Sequence, residues 1–365
     1  MTKLSKFGTY SKDDVIFLLK DISNLIIEEG NKERELKIQS GRHYSEMIPI
    51  EYEVSKEYLD LYREKLKVNK EKLAFSIGVM SDKIVRKNGE DVVLVSLARA
   101  GTPIGILAKR YLKYRYGLNL KHYTISIIRD KGIDINAIKY IRKEHPNSKI
   151  QFIDGWTGKG TITKELEKAC KDLENKLGET FDSSLAVLAD PSGYSNLYGI
   201  REDFLIPSAC LNSTVSGLVS RTVLRDDLIG EDDFHGAKYY SHLKDKDESI
   251  NYIETISSCF ESQYSLIDEE LKNWENDHIT KNGDIDVLNI KEKYKVGDIN
   301  FIKPGLGETT RVLLRRIPHK ILVNDIKDKS LDHILILAKE KNIDIEEMDL
   351  KAYKCCGIIK NMKDV

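Results

Sequence analysis

The chain has no long hydrophobic run and few cysteines, and each absence excludes a class of protein. Nowhere do its 365 residues approach the roughly 18 consecutive apolar residues that a membrane-spanning helix needs. The first residues lack an apolar segment followed by small residues, so we expect no secretion signal. The five cysteines are odd in number and lack CxxC spacing, which argues against a disulfide framework and against a structural zinc site. We therefore expect a soluble, cytoplasmic protein with free thiols and no membrane partner.

A large net charge is also missing, because 58 basic and 59 acidic residues nearly cancel. The distribution is nevertheless uneven. Residues 1–225 carry an excess of basic side chains, whereas residues 226–300 carry more than twice as many acidic as basic ones. A basic first segment favours phosphorylated ligands. The acidic segment is more typical of a solvated helical region than of a nucleic-acid surface.

Short β-rich runs alternate with amphipathic helices from Asp91 onward, a pattern typical of βαβ units around a parallel sheet. The runs predict strands over 92–98, 122–128, 150–154 and 185–190, separated by helices over 103–116, 134–145 and 161–177. Apolar residues at helical spacing also predict helices over 11–29 and 55–87. The fold class is therefore α/β, with a doubly wound and mostly parallel sheet, a helical region and a small C-terminal α/β domain. The expected segments are an N-terminal helix in 1–34, a main domain over 35–225, an acidic helical region over 226–300 and a last domain over 301–365.

The most specific motif is the turn within FIDGWTGKGTI, residues 152–162, where Asp154 ends a strand and Thr161 begins a helix. Backbone N–H groups of such a turn, together with a helix N-terminus, form a cradle for a phosphate dianion. It is not a Walker A loop, since Ile153 and Gly160 stand where that loop needs a glycine and a Ser or Thr. The alternative is a glycine-rich turn that serves chain reversal alone.

The turn resembles the ribose-phosphate loop of type I phosphoribosyltransferases. The resemblance implies that Asp154 contacts ribose hydroxyls and that the following residues bind a 5-phosphate; these are Gly155, Thr157, Gly158, Lys159, Gly160 and Thr161. In that family a second acidic residue stands where this chain has Gly155.

Two further loops fit the same resemblance. LARAGTPIG, residues 97–105, is similar to the family's pyrophosphate loop, with Arg99, Ala100 and Gly101 as the contacts. Arg129 and Lys131 follow the next strand, where the family has a basic loop that closes over pyrophosphate. The implied reaction is transfer of ribose 5-phosphate from phosphoribosyl pyrophosphate to a base or nucleoside-like acceptor, with Mg²⁺ carried by the substrate phosphates and no metal site in the protein. Solvated loop charges are the alternative for these basic residues.

More of the chain resembles a narrower group, the bacterial phosphoribosyltransferase-like proteins of tellurite-resistance and stress gene clusters. The segments that carry this resemblance are SGRHYSEM, VSLARAGTPIG, DFLIPSACLNSTVSGLVSRT and GETTRVLLRRIP. Some members of that group are named StiP-type cysteine proteases. The C-terminal segment, with KILVND and YKCCGIIK, resembles a Pelota-type RNA-binding domain, which implies RNA as a partner. A homodimer is compatible with the resemblance.

Two other functions compete with the transferase. A cysteine peptidase would use Cys210 as its nucleophile, with His43, His122 or His235 as the base, because a catalytic thiol needs a lowered pKa and a nearby base. A cysteine between Ala209 and Leu211 is otherwise a small core residue. A catalytically silent sensor of a nucleotide-like ligand, coupled to RNA binding, is the third hypothesis.

Overall fold

The computed structural model describes residues 7–51, 53–276 and 278–362. The strands are β1 (Ile16–Phe17), β2 (Lys20–Asp21), β3 (Glu28–Glu29), β4 (Ile48–Pro49), β5 (Val92–Leu97), β6 (His122–Ile125), β7 (Ile127–Ile128), β8 (Gly132–Ile133), β9 (Lys149–Trp156), β10 (Ala186–Ala189), β11 (Tyr198–Ile200), β12 (Gly236–Ala237), β13 (Ile302–Pro304), β14 (Pro318–Val323), β15 (Ile345–Glu347) and β16 (Cys355–Ile359). The α-helices are α1 (Asn31–Gln39), α2 (Lys56–Asn88), α3 (Gly101–Tyr116), α4 (Ile135–Glu144), α5 (Thr161–Leu177), α6 (Pro207–Cys210), α7 (Ser249–Ser257), α8 (Phe260–Glu270), α9 (Gly283–Lys293), α10 (Leu306–Arg315) and α11 (Asp332–Glu340). None of the helices in the described residues is long and apolar enough to span a bilayer.

The main sheet has the strand order β1-β6-β5-β9-β10-β11, and every pairing in it is parallel. The chain leaves β5 through α3 toward β6, and it leaves β9 through α5 in the opposite direction toward β10. In such sheets a crevice opens at the carboxyl ends of the two strands where the direction reverses. The predicted α/β class with a mostly parallel sheet is confirmed.

Helices cover both faces of this sheet, so its strands are apolar along their length. Every residue of β5 is buried, as expected for a parallel strand with helices on each side. Leu94 packs in a cluster with α2 and α3, while Val95 packs in the opposite cluster with α4 and α5. The predicted helices over 55–87, 103–116, 134–145 and 161–177 are confirmed as α2, α3, α4 and α5.

The predicted N-terminal helix over 11–29, within the 1–34 segment, is wrong. Residues 16–17, 20–21 and 28–29 form strands instead, and α1 begins only at Asn31. Val15, Phe17 and Leu19 enter one hydrophobic cluster, whereas Leu18 enters the cluster on the other face of the sheet. This alternation has the period of a strand, and a strand buried on both faces shows apolar residues at nearly every position. The same residues also satisfy a helical spacing, which produced the error.

The C-terminal region forms a second sheet with the order β13-β16-β14-β15. In this sheet β16 pairs antiparallel with both β13 and β14, whereas β15 runs parallel to β14. Helix α10 lies between this sheet and the main domain. Its apolar residues Leu313 and Leu314 belong to the same hydrophobic cluster as Cys210 and Leu211. The core is therefore continuous from the main sheet to the C-terminal domain.

Two candidate sites that share helix α10

The glycine-rich turn after β9 is held from the side of the main domain by Asp190, which is fully buried. Its carboxylate accepts a hydrogen bond from the Thr157 hydroxyl. It also accepts hydrogen bonds from the backbone N–H groups of Tyr194, at 2.9 Å, and Ser195, at 2.8 Å. Asp154 lies two residues before the end of β9 rather than at its end. The Thr157 hydroxyl is therefore used to stabilise the turn, and Asp190 holds the turn in place through these hydrogen bonds.

Two glycines in the crevice are required by close approach. A Cβ atom on Gly101 would lie 2.4 Å from the carbonyl oxygen of Ile153, so only glycine lets the loop after β5 lie against β9. Gly160 has a φ of +68°, and a Cβ atom there would lie 2.5 Å from the ring of Tyr194. The first contact packs the loop after β5 against β9, and the second packs the glycine-rich turn against Tyr194.

The C-terminal domain covers the turn. The Lys159 ammonium donates to the Ile302 carbonyl at 3.0 Å and also to that of Ile299, and the Tyr353 hydroxyl donates to the Gly158 carbonyl. Burial, with Lys303 as a neighbour, lowers the pKa of Lys159 to about 7. Lys159, which was predicted to bind phosphate, thus connects the main domain to the C-terminal domain through hydrogen bonds. Thr161 lines the cavity beside the turn.

Two adjoining cavities, of about 320 and 400 Å³, lie between the crevice of the main sheet and α10. They share lining residues, and we refer to them together as the junction cavity. Its cationic lining comes from both domains: Arg34, Arg99, Arg129, Lys159, Arg221, Lys303, Arg311, Arg315 and Arg316. Its carboxylates are Glu51, Asp154, Asp298 and Glu308. Cations therefore predominate among the charged side chains that line this cavity.

Of the three basic residues predicted from the sequence, two line the junction cavity and one does not. Arg99 donates to the Val219 carbonyl at 2.9 Å and lies 3.7 Å from a Glu51 oxygen. Arg129 donates to the Asn300 side chain at 3.1 Å. Lys131 is exposed and does not line the junction cavity.

Several cations of the junction cavity were missed by the sequence analysis. Arg34 lies on α1, and Arg221 lies in the chain between α6 and β12. Arg311 and Arg315 are four residues apart on α10 and so project from the same face of that helix. This pair at helical spacing was the available signal in the sequence. Arg34 and Arg221 are distant in sequence and had none.

The electrostatics of the junction cavity reflect crowding of like charges. Burial, then the charge of Arg316, lowers the pKa of Arg34 to about 10. Burial, then Arg34, lowers the pKa of Arg221 to about 9. Burial raises the pKa of Asp154 to about 6. The Nε atoms of Arg34 and Arg311, and both Nε and Nη2 of Arg315, are buried without a hydrogen-bond partner among the described residues.

Cys210 ends α6 and lines a separate cavity of about 250 Å³, which we call the Cys210 cavity. Leu59, Leu243 and Leu314 give this cavity an apolar wall. Burial raises the pKa of the Cys210 thiol to about 12, against a smaller lowering by the hydrogen bond from Tyr58 and by the charge of Lys65. In this conformation the thiol is protonated at neutral pH.

Hydroxyl groups surround the thiol. Besides Tyr58, the buried side chains of Tyr62 and Tyr252 lie near enough to interact electrostatically with Cys210. The Tyr62 hydroxyl has no hydrogen-bond partner among the described residues. A buried polar atom without a partner is costly, so this hydroxyl is an available donor.

The histidines predicted as bases for Cys210 bond elsewhere. His122 uses both ring nitrogens, at 2.7 Å from the Ser96 hydroxyl and 2.8 Å from the Asp14 carbonyl. His235 Nδ1 contacts Ser126, and His43 Nδ1 contacts Ser45. The cation that acts on the thiol is Lys65, which donates to the Lys329 carbonyl at 3.3 Å and lies 3.5 Å from Asp332 of the C-terminal domain.

Comparison with known proteins places this arrangement in a family. Residues 8–257 match the family described as "Tellurite-like stress resistance cysteine protease StiP", and residues 281–361 match the PELOTA RNA binding domain. The chain therefore belongs to the StiP family. Over 347 residues it is 33% identical to the protein of Acinetobacter baylyi (strain ATCC 33305 / BD413 / ADP1) named "Cysteine protease StiP", an alignment that covers 91% of this chain and 88% of the relative.

These matches correct the predicted activity. Phosphoribosyl transfer from phosphoribosyl pyrophosphate was the main prediction, and it is wrong, since both the family and the relative are named as cysteine proteases. The narrower resemblance to StiP-type proteins with a Pelota domain is confirmed. The Mg²⁺ and homodimer expectations remain predictions.

Proposed function

We propose that this chain is a cysteine peptidase whose nucleophile is Cys210. The StiP match covers residues 8–257, which contain two cysteines, Cys170 and Cys210. Cys170 is buried in the hydrophobic cluster between α5 and the main sheet. Cys210 lines a cavity, and this is the observation that carries the choice between them.

The surroundings of Cys210 supply hydrogen-bond donors and a cation for acyl transfer, whereas burial raises the pKa of the thiol and the three predicted histidine bases bond elsewhere. The thiol would give up its proton and attack a peptide carbonyl, so that a carbon–sulfur bond forms, the carbon–nitrogen bond breaks and the leaving amine takes up that proton. Water would then hydrolyse the thioester, releasing the acid and restoring the thiol. The hydroxyls of Tyr58, Tyr62 and Tyr252 are available to donate hydrogen bonds to the oxyanion that develops on the carbonyl. The positive charge of Lys65 favours the thiolate.

The Cys210 cavity also indicates a substrate preference. Its lining includes Leu59, Leu243 and Leu314 together with polar residues, among them the ion pair between Glu53 and Lys246. Apolar pockets with few polar groups bind apolar side chains. We expect peptides with a large apolar residue beside the cleaved bond to be preferred over charged ones.

The test compares two matched variants. Fluorescently labelled, unfolded casein is incubated with wild type, Cys210→Ser and Cys170→Ser, each with and without iodoacetamide. Removal of a catalytic nucleophile commonly costs several orders of magnitude, so we expect Cys210→Ser to lose at least about 100-fold of the hydrolysis rate. Cys170→Ser should keep it. Retained hydrolysis by Cys210→Ser would refute the proposal.

We also propose that residues 281–361 bind RNA, on the strength of their match to the PELOTA RNA binding domain. Binding that depends on phosphate contacts weakens steeply as salt increases. Fluorescence anisotropy of the full chain with a labelled RNA hairpin and a DNA hairpin of the same sequence tests this. Salt-dependent binding that favours the RNA supports the proposal, and equal or absent binding contradicts it.

A further inference from the structure

The Cys210 cavity is not built by the main domain alone. Within the described residues, all but one of its lining residues lie in three stretches, 53–59, 210–214 and 243–246, which belong to the StiP match. The exception is Leu314 on α10, which lies in the PELOTA match. The cavity beside the thiol is therefore completed by the C-terminal domain.

Leu314 is held firmly in this position. It is only 3% exposed and belongs to the same hydrophobic cluster as Cys210, and α10 packs against α6, the helix that carries the thiol. Both ends of α10 are also bound to carboxylates of the main domain. Asp203 accepts the N–H of the first residue of α10 at 3.0 Å, and Arg316, directly after the helix, donates to Glu35 at 2.6 and 2.9 Å. A side chain fixed in this way can discriminate between ligands of different shape.

The cavity also leaves polar atoms for the backbone of a peptide. Asn212 lines the cavity, and its Oδ1 is buried without a hydrogen-bond partner among the described residues. The hydroxyl of Tyr62, a residue 1% exposed and near enough to interact electrostatically with the thiol, is in the same state. A peptide bond offers an N–H donor and a C=O acceptor, which match these two groups. A peptide therefore finds partners for its backbone beside an apolar space for a side chain.

We propose that Leu314 determines which side chain the site accepts at the acyl position of a peptide. The proposal rests on the assignment of Cys210 as the nucleophile, because a side chain in this cavity would lie beside that thiol. An apolar cavity of about 150 Å³ holds a benzene molecule, so the Cys210 cavity, at about 250 Å³, has room for one leucine or phenylalanine side chain. The size of residue 314 sets the space that remains. The C-terminal domain therefore contributes to the choice of peptide.

The test measures alkylation of Cys210 in the full chain, which does not require peptide hydrolysis. Rates with N-isobutyl iodoacetamide and with the bulkier N-naphthylmethyl iodoacetamide are measured by mass spectrometry of the Cys210 peptide. Their ratio cancels changes in the pKa or in the exposure of the thiol. Leu314→Ala should raise the ratio of the naphthylmethyl to the isobutyl rate at least about tenfold, and Leu314→Phe should lower it, since one methylene in an apolar pocket changes discrimination about 10- to 200-fold.

Matched variants separate the pocket from the fold. Leu313→Ala truncates a neighbouring buried leucine of α10 that does not line the Cys210 cavity, so it should leave the ratio unchanged. Leu314→Val is a milder truncation, for use if Leu314→Ala does not fold, and it should shift the ratio in the same direction. The proposal is overturned if the Leu314 variants keep the wild-type ratio, or if Leu313→Ala shifts it as Leu314→Ala does.

Peptide esters with leucine or naphthylalanine at the acyl position supply the second readout. The ratio of their kcat/KM values should follow the alkylation ratio in each variant. A wild type that hydrolyses neither ester would refute the peptidase, and with it the acyl role of the cavity. An active wild type whose preference does not depend on residue 314 would refute only the inference about Leu314.

Discussion

The junction cavity and the Cys210 cavity are both lined by helix α10, yet their chemistry is opposite. Arg311 and Arg315 project from α10 into a space where positive charge is crowded, whereas Leu314 of the same helix borders an apolar space beside a protonated thiol. Cationic side chains outnumber carboxylates in the lining of the first region, whereas leucines line much of the second. A glycine-rich turn and a candidate nucleophile therefore lie in one fold but line different cavities.

A physical link nevertheless joins the two regions. Glu51 lines the junction cavity, where it lies 3.7 Å from Arg99, and its carboxylate accepts the backbone N–H of Ser213 at 2.8 Å. Ser213 is three residues after Cys210. The segment that carries the thiol is therefore fixed by a carboxylate of the charged region.

The largest expected effect concerns the thiol itself. Because burial raises the pKa of Cys210 to about 12, its thiolate fraction at pH 7 should be about 1,000-fold below that of a free cysteine. Alkylation of Cys210 by iodoacetamide, followed by mass spectrometry of the peptide, should accelerate about tenfold per pH unit between pH 7 and 10. The protein unfolded in urea serves as the control. A rate that levels off near neutral pH would show an activated thiol instead.

A smaller effect is expected from Lys65, the cation that favours the thiolate. Lys65→Gln should slow both alkylation of Cys210 and casein hydrolysis by less than about tenfold, because its charge is the smallest of the named influences on the pKa of the thiol and one unit of pKa corresponds to a tenfold change in thiolate. Lys65→Arg keeps the charge and should recover most of the rate. If the glutamine and arginine variants behave alike, Lys65 acts through packing and not through charge.

The smallest effect concerns Asp154 in the junction cavity. Its pKa is raised to about 6 from an ordinary value near 3.8, so the folded protein binds the proton more tightly than the unfolded chain does. The stabilisation is fully present below pH 3.8 and is lost as the pH rises through 6. Asp154→Asn, which stays neutral, should therefore raise the free energy of unfolding at pH 8 by about 1 kcal/mol relative to its effect at pH 4, once solvent in the cavity is allowed for.

Urea denaturation at both pH values measures this difference. Exposed Asp232→Asn is the matched control and should change little at either pH. Equal effects of Asp154→Asn at pH 4 and pH 8 would contradict the raised pKa of Asp154.

The sequence predicted the frame of the charged region well, because its signals are local. A strand, a polar loop and a helix follow one another around Arg99 and again around Asp154, so both loops could be placed at the carboxyl edge of the sheet. Arg34, Arg221 and Arg315 meet there only through tertiary packing, and no spacing in the sequence relates them. The prediction of a helix over 11–29 was wrong for a related reason. A strand buried on both faces has apolar residues at nearly every position, and these also fit helical spacing.

The functional prediction failed because the glycine-rich turn has strong local chemistry, whereas a nucleophilic cysteine has almost none. The residues next to Cys210 in the chain, from Pro207 to Leu211, are small or apolar. Its hydroxyl neighbours Tyr58, Tyr62 and Tyr252 come from α2 and α7. Only packing brings them to the thiol. The candidate nucleophile was therefore recognisable, but its surroundings were not.

The most direct test of the central claim is to trap the acyl-enzyme. Wild type is mixed with a peptide ester that has an apolar residue at the acyl position, quenched in acid during turnover and digested for mass spectrometry. We expect a thioester adduct on the peptide that contains Cys210, absent from Cys210→Ser and retained in Cys170→Ser. Turnover with an adduct on another residue, or with no thioester on Cys210, would contradict it.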